Sequence, residues 1–319
     1  MATTDDGEAA IAHGPLRRFA TAPYVLLTLC MLFWAGNGVV GRAVVGAVPP
    51  LTLSFWRWVI ALAILVPFGL PHVRKDLALV RAQWRTLFML ALFSVAAFNT
   101  LLYLALKWTT AINASMVGAM GPAVIPLIAW IVLRERVSPR QAAGIAVSFI
   151  GALFVITRGD VGVLANLGFN QGDLLVMLAV VAWSIYSVLL RRHSASLHPL
   201  TFLTVTFAFG FAIITPFAAW EYANGARIHL SALSLGGIAY VGVFPSLFSF
   251  LFWNRGVTAV GASRAAQFLY LVPVFTAALA IAFLGESLAF HHVAGVALIF
   301  FGIHAATRKK RAPGASDGG

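Results

Sequence analysis

A chain of 319 residues that is 61% hydrophobic, only 10% charged and has a mean hydropathy of +0.90 cannot cover itself with polar surface in water. Soluble domains carry about 25% charged residues, so the composition excludes an ordinary soluble protein and points to a polytopic membrane protein. The net charge of +12 is scattered through short breaks between apolar runs, which argues against a nucleic-acid-binding face. The single cysteine, Cys30, excludes an internal disulfide.

The polar segment 1–22, with Arg17 and Arg18 at its end, is expected to be a cytoplasmic tail. The apolar run after it is long and has no convincing cleavage site, so it reads as a transmembrane helix rather than a signal peptide. A helix needs about 20 apolar residues to cross the hydrocarbon. Ten stretches qualify, at 23–44, 51–70, 84–106, 109–133, 139–157, 172–190, 199–220, 232–253, 257–284 and 288–307. The third and fourth are separated only by the break at Lys107-Trp108. Residues 158–171 form an expected extracytoplasmic linker, and 308–319 a basic cytoplasmic tail. With the N-terminus inside and the spans alternating, sixteen basic residues fall in inside segments and four outside (Arg42, Lys107, Arg158 and Arg227). That asymmetry is what the positive-inside rule predicts. It places both termini in the cytoplasm of an inner (plasma) membrane protein.

The chain also repeats itself. At an offset of 151, Ala111, Pro122, Glu135, Gly144 and Gly151 fall on Ala262, Pro273, Glu286, Gly295 and Gly302. At an offset of 149, Trp34 meets Trp183, and Pro50-Leu51-Thr52 meets Pro199-Leu200-Thr201. Two five-helix halves follow, 23–157 and 172–307. Five is odd, so the second half enters the membrane upside down. Inverted repeats are a design of secondary transporters, with the substrate site near the midplane between the halves.

The Trp34-Ala35-Gly36-Asn37 stretch, the Pro50…Arg57 spacing and Pro122…Arg134-Glu135-Arg136 are similar to EamA-type proteins of the drug/metabolite transporter superfamily. So are Gly172-Asp173…Trp183 and Ala262-Ser263-Arg264…Pro273…Leu284-Gly285-Glu286. The resemblance covers nearly all of 23–307. It implies a ten-helix fold around a central cavity, with the fifth and tenth helices toward the outside. It also implies export or exchange of amino acids and related small metabolites. One departure is Arg134, where the family commonly has glycine; the second half keeps Gly285.

No acidic residue lies in the middle of a span, which argues against an organic-cation carrier and against a carboxylate proton relay. The charges within spans are Arg57 and Arg264, which favour a carboxylate or phosphate on the solute. Arg57, in Ser54-Phe55-Trp56-Arg57-Trp58-Val59, has two open readings. It lies about 10 Å from its helix end and could snorkel to the interface, or it could face the cavity. Arg264 is the stronger candidate, about two turns into its helix, near Gln267 and Tyr270. Hydrogen bonding to backbone carbonyls is its alternative role. Trp34, Asn37, Asn99, Tyr103, Trp183, Tyr186 and Ser249 complete the expected polar and aromatic lining, with helix–helix hydrogen bonding as the competing role of each. Pro122, Pro126 and Pro273 are candidate hinges. Glu135 and Glu286 read as caps between helices, and Ser138-Pro139-Arg140-Gln141 as a capping box. His291-His292 is not expected to bind metal, since adjacent residues do not share a helix face. No cofactor is implied.

The leading expectation is a secondary transporter exporting a small amino-acid-like or carboxylated metabolite across the bilayer. Uptake or facilitated diffusion of another small solute, or a non-transporting scaffold, are the alternatives. A membrane-embedded enzyme would need clustered His, Asp or Glu at depth, which the sequence lacks, so no enzymatic activity is expected.

Overall fold

The computed structural model describes residues 22–134, 137–160, 162, 170–192, 197–260 and 268–307, and every element among them is helical. In chain order they are α1 (Pro23–Val44), α2 (Pro50–Lys75) and, after a six-residue helix Leu77–Ala82, α3 (Trp84–Ala105). Next come α4 (Ala111–Gly118 and Gly121–Leu133), α5 (Pro139–Ile156), α6 (Gln171–Arg192) and α7 (Pro199–Ala223). The last are α8 (Ala232–Val243, Phe244–Phe248 and Ser249–Val260), α9 (Phe268–Leu284) and α10 (Phe290–Thr307). Four of them open with proline at the first helical position, where no backbone N–H is needed. The capping box expected at Ser138 and Gln141 is formed on both sides.

Seven helices are individually long and apolar enough to cross a membrane, and α4 makes an eighth if its halves, bent by 43°, are one span. The described parts of α9 and α10 are apolar but shorter. Two expected boundaries are corrected. Helix α2 continues to Lys75, through Pro67 and Pro71, instead of stopping at 70. Helix α8 continues to Val260, past the position 257 where the ninth span was expected to begin. Hydropathy reports contact with lipid, whereas a helix runs on wherever its backbone bonds continue.

Two features were not read from the sequence. Helix α3 holds a π-helical segment at Leu92–Phe98, and α8 holds another at Phe244–Phe248. At the repeat offset they superpose, so the distortion belongs to the fold. Such wide turns are frequent at functional sites.

The packing shows the halves running against one another. The start of α2 meets the end of α7: Glu221 accepts from the backbone N–H of Leu51 (3.3 Å) and Thr52 (2.7 Å) and from Thr52 Oγ1 (2.8 Å). The end of α2 meets the start of α7: Asp76 accepts from His198 N–H (3.1 Å) and Thr201 Oγ1 (2.7 Å). Thr52 and Thr201 are repeat equivalents, so each half caps the other's helix. Helices α5 and α10 also pack antiparallel, through small residues. Gly151 lies against Gly295, Gly144 against Gly302, and Ser148 Oγ donates to Ile299 O at 3.1 Å. At the end of α4, Arg134 takes the left-handed conformation (φ 56°) that Gly285 takes at the end of α9 (φ 66°). Arginine and glycine therefore share the same left-handed cap conformation at the two helix ends.

Candidate functional site

A central cavity of about 220 Å³ lies between the halves. Its wall is built from repeat equivalents. Gly118, Gly121, Pro122 and Ile125 of α4 face Leu269, Val272, Pro273 and Thr276 of α9. Trp34 and Trp183, also equivalents, touch edge to face with centroids 6.2 Å apart. Trp183 in turn packs on Phe98 and Tyr186.

On this symmetric frame the polar chemistry is one-sided. Arg57, only 3% exposed, lines the cavity. Its Nε donates to Ser246 Oγ (2.7 Å), and its Nη1 to Asn37 Oδ1 (2.9 Å) and Tyr103 Oη (2.8 Å). Tyr103 Oη donates to Asn37 Oδ1 at 2.6 Å, locking the cluster. Trp58 packs beside the guanidinium, whose carbon is 4.9 Å from the ring centroid. Ser246 comes from the π-helical segment of α8, whose own Val241 carbonyl accepts its hydroxyl proton at 2.8 Å. The repeat positions of Arg57, Asn37 and Ser246 are Thr206, Tyr186 and Val95, so the second half has no copy of this cation.

The burial removes the snorkelling reading of Arg57. A buried cation is costly unless hydrogen-bonded, and three neutral oxygens meet that need. No carboxylate pairs with it among the described residues, no Asp or Glu lines the cavity, and Nη2 makes no bond there. The guanidinium can therefore take an anionic group without first releasing a partner.

Of the expected lining residues, Trp34, Asn37, Arg57, Asn99, Trp183 and Tyr270 border the cavity, as do Pro122 and Pro273. Tyr103 stands behind Arg57, and Tyr186 behind Trp183. Ser249 is fully buried off the wall, where its carbonyl accepts from Cys30 Sγ. Pro126 follows the lining residue Ile125 within α4 but is not among the residues of the wall. Arg264 and Gln267 lie outside the described residues, as do Ser263, Glu135 and Arg136. No group of three or more His, Cys, Asp or Glu that could hold a metal occurs among the described residues.

The roof of the cavity, beside the 106–110 turn, is tied by groups the sequence reading used differently or passed over. Glu286, after α9, accepts from the N–H of Ala111 (2.8 Å) and Ile112 (2.9 Å), so it caps α4 from the other half. Arg42 Nη1 donates to Leu106 O at 2.5 Å. Asp173, in the first turn of α6, accepts from Thr109 Oγ1 at 2.6 Å and from Asn113 Nδ2. Asp173 is only 1% exposed. The expectation that carboxylates stay out of the interior therefore needs correction at this residue. Its place in sequence, three residues into a span, hid the burial that the α3–α4 turn imposes.

Comparison with known proteins agrees with this architecture. The model of the EamA-like transporter family matches the chain twice, over residues 21–157 and 170–307. The chain belongs to that family. It is 27% identical to the uncharacterized transporter YyaM of Bacillus subtilis (strain 168), over 91% of this chain and 95% of that protein. It is also 27% identical to an uncharacterized transporter of Archaeoglobus fulgidus, over 90% of this chain and 98% of that protein. A solved crystal structure covers 89% of this chain and 97% of its own, with a TM-score of 0.60 at 23% identity, which shows the shared fold. The protein is thus an integral membrane protein of a transporter family.

Proposed function

We propose that the protein is a secondary transporter that exports small carboxylated or amino-acid-like metabolites through the central cavity. The observation that carries this reading is Arg57: a buried cation on the cavity wall, held by neutral groups and faced by no acid among the lining residues. A solute carboxylate supplies the missing counter-charge. The aromatic wall of Trp34, Phe98, Trp183 and Tyr270 accommodates an apolar or flat body. The inverted halves rock about this site, and the bend in α4 at Gly118–Gly121 together with Pro273 in α9 supplies the hinges. Trp34, Asn37, Arg57, Asn99, Trp183 and Tyr270 contact the solute. Tyr103 and Tyr186 position them, and Arg264 with Gln267 contributes from the start of the ninth span. Ten crossings with both ends in the cytoplasm complete the proposal.

The test is a flux panel of amino acids and organic acids in proteoliposomes, run with wild type and with Arg57→Gln. Hydrogen bonds to a charged group contribute about 1.5–3 kcal/mol, so Arg57→Gln should raise the KM for carboxylated solutes roughly ten- to a hundred-fold. Arg57→Lys should recover part of the loss. Unchanged transport by a well-folded Arg57→Gln protein would remove the cation from the site. Efflux from preloaded cells, compared with uptake, tests direction.

A further inference from the structure

Two asparagines border the cavity, and their partners fix the two amides in opposite orientations. Asn37 and Asn99 are each only 5% exposed. Asn37 Oδ1 accepts from Arg57 Nη1 (2.9 Å) and from Tyr103 Oη (2.6 Å). A guanidinium only donates, so the amide oxygen must face it, and the Asn37 NH2 is the end left over. Asn99 is held the other way round. Its Nδ2 donates to the Ser94 carbonyl at 3.0 Å, and turning that amide would set oxygen against oxygen. The end left over is Oδ1, an acceptor. Neither Asn37 Nδ2 nor Asn99 Oδ1 has a hydrogen-bond partner among the described residues, and both stay open to the cavity. Ser94, also on the wall, donates from Oγ to Leu90 O at 2.7 Å, so it too offers lone pairs. The wide turn at Leu92–Phe98 carries Ser94 and leads directly into Asn99, so this distorted backbone aims the acceptor. At the offset that sets Ser246 on Val95, Asn99 falls on Phe250, which also lines the cavity. Like the cation, the acceptor has no counterpart at its repeat position.

We propose that these oppositely held amides select a carboxylic acid that also carries a hydrogen-bond donor, a hydroxyl or an amino group. This rests on the transporter reading above and narrows its solute class. The carboxylate takes the donors of the first pole, Arg57 Nη2 and the Asn37 NH2. The donor group of the same molecule bonds to Asn99 Oδ1. Asn99 stands one turn before Tyr103 on α3, and Tyr103 Oη accepts from Arg57, so acceptor and cation belong to one part of the wall. An acid without a donor removes water from Asn99 Oδ1 and gives nothing back, and an acceptor left unpaired on burial is penalised. A keto group at that place is no better, since it sets a second acceptor against the first. Asn99 is thereby the specificity-determining residue of the cavity, and Arg57 the affinity-determining one.

The test measures binding of matched acids to the full chain in detergent, read by tryptophan fluorescence because Trp34 and Trp183 stand on the wall. One series is hydrocinnamate, phenyllactate and phenylalanine; a second is isocaproate, hydroxyisocaproate and leucine. In each, a donor-bearing member should bind about ten-fold more tightly than the unsubstituted acid. Comparing the hydroxy with the amino member tells which donor the site takes. Ketoisocaproate should not share the gain. In Asn99→Leu the ratio within a series should fall toward one, and a ratio does not depend on how much of the variant is folded. Arg57→Gln should instead weaken every member together. Equal binding across both series by wild type, a gain shared by the keto acid, or a full preference kept by Asn99→Leu would each overturn this proposal and leave the carboxylate site standing. Wild type binding none of the acids would overturn the carboxylate reading of Arg57, and this proposal with it.

Discussion

Single residues decide the chemistry of this protein because its frame is symmetric. At repeat-equivalent positions the two halves differ where charge is concerned: Arg57 against Thr206, and Asn37 against Tyr186. Arg57 thus has no charged counterpart at its repeat position, and it brings a guanidinium to the cavity from the first half. Asp76 shows how a residue at the membrane face works differently. The Thr201 hydroxyl first, then the His198 N–H, hold its carboxyl below the ordinary value of 3.8, with His198 and His72 adding smaller attraction. A lowered folded pKa means that Asp76 stabilises the protein above that ordinary value and ceases to do so as pH falls through the folded one. Asp76→Asn should therefore unfold at a lower temperature than wild type near neutral pH, and the gap should close in acid below pH 3.8. Thermal unfolding of the detergent-solubilised proteins across pH reads this directly.

Among the elements, the α5–α10 pair depends on residues with almost no side chain. A Cβ added at Gly302 would run into the Gly144 carbonyl and Ser148, and one at Gly151 into the Gly295 carbonyl and Leu298. Close backbone approach of this kind is how helices associate where lipid removes the hydrophobic drive. Overpacking costs about 1–3 kcal/mol. Gly302→Leu should lower the unfolding temperature while leaving the cavity residues in place, and a matched Gly236→Leu control on α8 meets open space away from the cavity. The capping role expected of Glu286 was legible as to type and missed as to partner. A carboxylate after a helix reads as a local cap, but its bonds go to Ala111 and Ile112, 175 and 174 positions away. The π-helical segments of α3 and α8 left no trace in hydropathy, because one extra residue per turn does not alter which side chains are apolar.

Taken whole, the molecule is held by ties between halves at both ends of the bundle: Glu221 on α2 at one end, Asp76 on α7 at the other. Reciprocal capping of this kind requires the two halves to be antiparallel. Engineered cysteines at Asn224 and at Lys75 should accordingly react with an impermeant reagent from opposite faces of the membrane, and one at Lys107 from the same face as Asn224. Labelling of Asn224 and Lys75 from one common face would break both the topology and the alternating-access mechanism proposed on it.

Composition, the spacing of apolar runs and the internal offsets by themselves determined the membrane class and the two-fold repeat, because lipid imposes length and apolarity on every crossing. They also picked out Trp34, Asn37, Arg57, Asn99, Trp183 and Tyr270 as polar or aromatic residues with no business in lipid. Only the tertiary structure decided which way Arg57 points, that Tyr103 and Ser246 hold it, and that Asp173 is buried. Those facts depend on contacts between helices far apart in sequence, and hydropathy, which is read one segment at a time, carries no information about which helix stands next to which.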